Sequence, residues 1–274
     1  MTMTQFEKAA RFQQLHEGPA PFVIPNAWDA GSARVLASLG FQALATSSGA
    51  CANILGRRDG QITRNEALTH ARSISEAGDL PVSADLENGF ADEPAAVAET
   101  IRQAAAIGLV GCSIEDAPQD RGRPIYDIGH AIERVAAAVE AARSLPFAFT
   151  LTARTENFLR GNPNLDDTIA RLKSFESAGA GVLFAPGLPT LDAIRAVCQA
   201  VTKPVNFMIG IRGQSFTVAD LTAAGVRRIS LATSLYRSAM SGLLEAAREV
   251  KERGTFTYVE RAVTTAELVR YFEE

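Results

Sequence analysis

Five side chains that handle charge fall at the ends of short apolar runs: Asp59 in LGRRDG, Asp85 and Glu87 in PVSADLENG, Glu115 in VGCSIEDAP and Arg154 in FAFTLTARTEN. If those runs are neighbouring strands of one sheet, several carboxylates and one guanidinium meet at its edge. Hard divalent ions such as magnesium take carboxylate and water oxygens in near-octahedral order. The expected shell is therefore one or two direct carboxylates, with the rest bridged by water. The competing reading makes each acid a helix cap or an arginine partner, but three acids on adjacent strand ends favour the metal. Arg154 suits bidentate capture of a substrate carboxylate, or a structural ion pair with Glu156 or Glu115. Asp85 and Glu87, two apart, share a side if the strand is still extended at that point.

Other residues join by position. Ser47, Ser48, Gly49 and Ala50 form a small-residue turn whose amides can receive a carboxylate or a developing oxyanion. Trp28 can wall a cavity, and Asp29 suits the start of a helix. His16, His70 and His130 are the only histidines. With the first two in helical stretches, a three-histidine zinc site or a Ser-His-Asp triad is disfavoured.

The elements that must position these residues repeat one pattern. A helical stretch ends near a glycine, a short apolar run follows, and a polar loop precedes the next helix. Glycines 40, 108, 179 and 225 suit a left-handed helix exit. Nearly all-apolar runs are expected of parallel strands covered by helices. Eight are expected, at 22–25, 42–46, 81–84, 109–114, 146–151, 181–184, 204–208 and 227–231. Eight strand-helix units in about 250 residues describe a closed (β/α)8 TIM barrel. An open doubly wound sheet is the rival, but PNAWDAGSAR after the first strand lacks its glycine-rich phosphate turn. The long polar connections at 117–130 and 155–166 read as functional loops, the first as a candidate lid. We read residues 1–274 as one α/β-barrel domain, with 235–274 a C-terminal helical segment divided near Gly254.

Bulk composition excludes several classes. With 47% apolar and 21% charged residues the chain reads as an ordinary globular protein. A net charge of -4, with no basic stripe, gives no reason to expect nucleic acid. Cys51, Cys112 and Cys198 form neither a disulfide framework nor a zinc motif, so a reducing, cytoplasmic setting is expected. No membrane span is expected, and the N-terminus does not read as a secretory signal.

Taken in order, PNAWDAGSAR, SSGACANILGRRDG, SADLENGF, SIEDAP and ARTENF make the chain, over residues 18–245, resemble the isocitrate lyase/phosphoenolpyruvate mutase superfamily. Its short members are the nearest in pattern: methylisocitrate lyase-like, oxaloacetate decarboxylase-like, and phosphonate-forming or phosphonate-cleaving enzymes. The resemblance implies Asp85 as ligand of Mg2+ (Mn2+ as substitute), with Glu87, Glu115 and Asp59 holding the ion mainly through water. It implies that Ser48, Gly49 and Ala50 grip the 2-oxo-carboxylate end of a small carboxylate substrate. Trp28 becomes a pocket wall and Arg154 the substrate-binding arginine. It also implies a homo-oligomer, dimer or tetramer, with the last barrel helix swapped between neighbours.

Two departures matter. Glu87 stands where the family has aspartate. The loop after Glu115, APQDRGRPIYDIGH, lacks the Lys-Lys/Arg-Cys-Gly-His motif of the isocitrate and methylisocitrate lyases and the lysine-and-asparagine pattern of the mutase. Tyr126, Asp127 and His130 are the loop's available acid/base groups; Cys51 and Cys112 fit better as small buried groups. The leading expectation is a magnesium-dependent lyase that cleaves a carbon–carbon bond of a 2-oxo or 2-hydroxy acid through a pyruvate-type enolate. The alternatives are a phosphonopyruvate-type carbon–phosphorus mutase or hydrolase, and a non-catalytic dicarboxylate-binding barrel.

Overall fold

Strand and helix alternate from Phe22 to Arg253, with two helices instead of one between the second and third strands, in a computed structural model that describes residues 2–120 and 122–272. In order, the first half runs α1 (Gln5–Glu17), β1 (Phe22–Ile24), α2 (Ala30–Ser38), β2 (Leu44–Ala45), α3 (Ser48–Ile54), α4 (Arg64–Ser75), β3 (Val82–Asp85), α5 (Pro94–Ala106), β4 (Gly111–Glu115) and α6 (Ile128–Arg143). The second half runs β5 (Thr150–Arg154), α7 (Leu165–Ser177), β6 (Val182–Phe184), α8 (Leu191–Ala200), β7 (Val205–Met208), α9 (Val218–Ala224), β8 (Arg228–Ser230), α10 (Ser234–Arg253) and α11 (Thr265–Val269). A 3-10 turn at Thr257–Arg261 separates the last two helices.

All eight strands are parallel neighbours, β1 pairing with β8 and β2 with β3. The ring closes between β1 and β2 through one parallel bridge, Asn26 to Ala45. This is the expected (β/α)8 barrel, and its C-terminal rim is the place where such barrels build sites. Glycines 40, 108, 179 and 225 all take positive φ at the helix exits, as expected. The fifth strand is displaced from its expected position: it spans Thr150–Arg154, not 146–151. Phe147 and Phe149 pack ring against ring, 6.4 Å between centroids, and serve the core instead of the ladder. The shift sets Arg154 directly beside Glu115 in the β4–β5 register.

The N-terminal end of the barrel is closed by α1. Phe12 is fully buried there, in a cluster with Phe22, Ile24 and Val110. Gly111 makes this closure possible, because a Cβ on it would lie 2.7 Å from the Thr150 carbonyl oxygen and 3.0 Å from the Phe12 ring. The first contact is with backbone, which cannot swing aside. Gly111→Ala is therefore expected to destabilise the fold by about 2–3 kcal/mol, as overpacked cores do. Denaturant unfolding checks this; an unchanged midpoint would mean that β4 and β5 separate easily.

Past β8 the packing changes. Of the twenty residues of α10 only Glu249 is buried, and Leu243, Leu244, Phe256, Val259 and Val263 are exposed. Gly254 ends the helix in a left-handed cap, near the expected division of the segment. No helix among the described residues is long and apolar enough to cross a membrane.

Candidate active site

Three adjacent strand ends supply the centre. Asp85 ends β3, Glu115 ends β4 and Arg154 ends β5. Arg154 reaches three acids: one terminal nitrogen lies 3.8 Å from Asp85 Oδ1 and 3.5 Å from Glu115 Oε2, and Nε donates to Glu156 Oε1 at 2.5 Å. Arg160, from the loop beyond β5, approaches the other Glu115 oxygen at 3.8 Å. Burial works against charge on Arg154, but Glu156, Glu115 and Asp85 outweigh it and push its pKa up. Glu115 moves well above the usual carboxylate range. Burial is the main cause, reinforced by Glu156, Asp85 and Glu87 and opposed by Arg154.

Asp85 is oriented by backbone. The Ser48 amide donates to its Oδ2 at 3.1 Å, while its own amide donates to Thr46 Oγ1 at 3.0 Å. Residues 48–50 form the first turn of α3 rather than a free turn, with Ser47 as the cap that accepts from the Ala50 amide. The Ser48 amide thus serves Asp85 and the Ala50 amide serves the cap, so only Gly49 keeps an amide with no acceptor among the described residues. Asp59 folds over this turn, its carboxyl carbon 3.5 Å from where a Gly49 Cβ would sit.

Glu87 arrives by a route that strand alternation does not describe. The strand stops at Asp85, and Glu87 has φ 48°, in the left-handed region. Period-two reasoning therefore fails there, and the two acids face different spaces. Asp85 lines a small cavity inside the barrel, and Glu87 lines a cleft of ≈ 310 Å³ above it. Asp59, Glu115, Glu156 and Arg160 share the upper cleft, and Arg154 borders both spaces.

No three His, Cys, Asp or Glu side chains among the described residues stand close enough to ligate one ion directly. The donor chemistry nevertheless fits a hard cation. Asp85, Glu115 and Glu156 converge on Arg154, and Glu87 and Asp59 line the cleft beside them, so the rim is rich in the carboxylate oxygens that a hard cation takes. Water-bridged acids around one direct ligand need no tighter cage.

Several residues that organise the site gave no signal in the sequence. Asp116 is buried and accepts from Thr155 Oγ1 and the Glu156 amide, both at 2.8 Å. Arg171 of α7 pairs with Asp116 at 3.2 Å and donates to the Tyr126 carbonyl at 3.0 Å. This chain of contacts fixes the backbone that carries Glu156, and through it Arg154. Arg134 of α6 donates to the carbonyls of Asn88, Ala91, Asp92 and Glu115. Only Asp116, next to Glu115 in SIEDAP, was within reach of motif reading.

The other nominated residues lie apart from the cluster. Trp28 packs edge-on against Tyr236, 5.8 Å between centroids, and its carbonyl accepts from His70 Nε2; it lines neither cavity. Tyr126 is buried, donates its hydroxyl proton to Asp92 and accepts from Asn88 Nδ2. Asp127 caps α6, and His130 sits in that helix's first turn, 4.0 Å from Glu133. None of the three loop groups borders the upper cleft, whereas Ala117 and Gln119 do. Asp29 caps α2 through a capping box. Cys51 and Cys112 are both buried, and burial, with Glu66, Glu87 and Asp85, pushes the Cys51 thiol up to about 12. Burial raises the Cys112 thiol as well.

Comparison with known proteins places this geometry. Residues 12–251 match the sequence family described as phosphoenolpyruvate phosphomutase. A solved Burkholderia cenocepacia structure, assigned only provisionally as a lyase/mutase, is 50% identical with a TM-score of 0.96, covering 98% of this chain and 97% of that one. The oxaloacetate decarboxylase of a Bradyrhizobium species is 32% identical over 76% of this chain and 71% of its own length. The 2,3-dimethylmalate lyase of Eubacterium barkeri is also 32% identical, over 79% and 77%.

Proposed function

Because the chain belongs to the phosphoenolpyruvate phosphomutase family, within the isocitrate lyase/phosphoenolpyruvate mutase superfamily, we propose that it is a magnesium-dependent lyase acting on a small 2-oxo or 2-hydroxy carboxylic acid. The bond broken is a carbon–carbon bond, and the fragment left behind is a pyruvate-type enolate. The observation that carries this reading is the convergence of Asp85, Glu115 and Glu156 on Arg154 at the barrel rim, with Glu87 and Asp59 lining the cleft above. Asp85 would hold the ion directly, and Glu87, Glu115 and Asp59 would hold it through water. When bound, magnesium supplies a Lewis acid that stabilises charge developing on the substrate oxygens.

The chain's own residues do the rest. Arg154, held in place by Glu156, presents its terminal nitrogens to the substrate carboxylate. The first turn of α3 offers the Gly49 amide toward developing negative charge, with Ser48 fixing Asp85 beside it. Trp28 packs edge-on against Tyr236 outside both cavities and takes no part in holding the substrate. Loss of carbon dioxide from an oxaloacetate-like acid needs no base to begin, which suits a loop without cysteine or lysine between residues 113 and 130. The exposed apolar residues of α10 and the segment after it support a homo-oligomer, dimer or tetramer, in which that helix packs on a neighbouring copy. The buried free thiols support a cytoplasmic setting.

The test is turnover of oxaloacetate, methylisocitrate, 2,3-dimethylmalate and phosphonopyruvate by the purified protein with magnesium, following pyruvate and phosphate. Pyruvate release that chelation of the metal abolishes is the expected result. Phosphate release from phosphonopyruvate alone would replace this reading by the carbon–phosphorus one. Tight dicarboxylate binding without any turnover would leave a binding barrel.

A further inference from the structure

Beneath the acid cluster the barrel is filled differently from the usual layers of branched apolar side chains. Arg228 enters from β8 and is 4% exposed. Its Nε donates to Asn206 Oδ1 at 2.9 Å and one terminal nitrogen to Thr152 Oγ1 at 3.1 Å. Both partners are neutral, and no carboxylate stands within ion-pair distance of Arg228 among the described residues. Burial draws its pKa down to about 10, which leaves it charged at neutral pH.

This guanidinium borders the interior cavity of ≈ 40 Å³, together with Asn26, Ser83, Ser113 and Ser230. Ser83 and Ser113 are buried, and their hydroxyls have no protein partner among the described residues. Ser230 Oγ accepts from Asn206 Nδ2, which leaves its proton to give. The wall is therefore rich in donors around a cation. Its single carboxylate, Asp85 at the mouth, is already engaged by the Ser48 amide and Arg154. A buried charge lacking a counter-charge is costly, and proteins retain one where something compensates it.

We propose that the barrel interior binds one small inorganic monoanion of halide size, held by Arg228 and by the hydroxyls of Ser83, Ser113 and Ser230. Size selects the class. A buried water needs about 10–15 Å³ on the same measure, so the cavity takes one such ion and a water or two, and excludes a substrate acid. The site lies below the metal-binding rim and does not depend on the lyase reading.

The wild-type chain tests it with bromide as the probe. At constant ionic strength, exchanging gluconate for bromide should raise the unfolding temperature saturably, by about 5 °C. Crystals soaked in bromide should show an anomalous peak against the Arg228 guanidinium. In Arg228→Met, of similar length and uncharged, the bromide dependence should vanish. If that variant does not fold, the wild-type anomalous map decides alone. A stability that follows only ionic strength, or an interior holding water with bromide confined to the surface, would overturn the proposal.

Discussion

Substituting Asp85 by asparagine is expected to lower kcat/KM by about three orders of magnitude and to weaken magnesium binding, while the fold stays intact. A thousandfold loss corresponds to about 4 kcal/mol of transition-state stabilisation, the scale expected when a metal loses its anchoring carboxylate. Asparagine keeps the shape, so the Ser48 amide at 3.1 Å keeps an acceptor. What disappears is the charge that faces both the interior cavity and Arg154. Stability should hardly change, because removing one of the acids that crowd Glu115 relieves repulsion as well as losing attraction. Steady-state pyruvate release and magnesium titration calorimetry measure the two halves of the expectation. Wild-type activity in this variant would sink the assignment of Asp85 to the metal.

Much of the frame was legible because local chemistry dictated it. Glycine exits at 40, 108, 179 and 225 and short apolar runs between them gave eight strands and their order. Asp85, Glu115 and Arg154 were readable because each ends such a run, and β-register then brings them side by side. Reading failed where geometry departs from regular periods. Glu87 leaves the strand pattern by turning left-handed, and the aromatic run at 147–149 looked like strand but packs beneath one. Tyr126 and His130, nominated by their presence in a long loop, are held by Asp92 and Glu133 instead. Arg134, Arg171 and Arg228 could not be found in the sequence at all. Each acts on partners more than twenty positions away or on a neighbouring strand, so its role exists only after the barrel has closed.

Arg134 carries the largest expected effect on stability. It lies on α6, is 1% exposed, and its guanidinium is divided among four carbonyls. Nε donates to Asp92 at 3.1 Å, one terminal nitrogen to Glu115 at 3.2 Å, and the other to Ala91 at 2.9 Å and to Asn88. The same group lies over the Tyr126 ring, 4.3 Å from its centroid. A planar fork with five donors can serve all four acceptors; a lysine cannot. Arg134→Met preserves much of the packing but strands carbonyls in a buried loop, each costing about 1–3 kcal/mol where water cannot reach. Because part of that loop borders solvent, a net loss of about 3–5 kcal/mol is expected in urea unfolding. The loss should not be confined to stability. Three of the four carbonyls belong to the segment that follows Glu87, and the fourth belongs to Glu115 itself, so loosening them frees two of the acids assigned to the ion. Magnesium affinity should therefore fall in the folded variant, although Arg134 borders neither cavity. A variant that loses stability yet binds magnesium like wild type would confine Arg134 to the fold and show that Glu87 and Glu115 are positioned by the barrel strands alone.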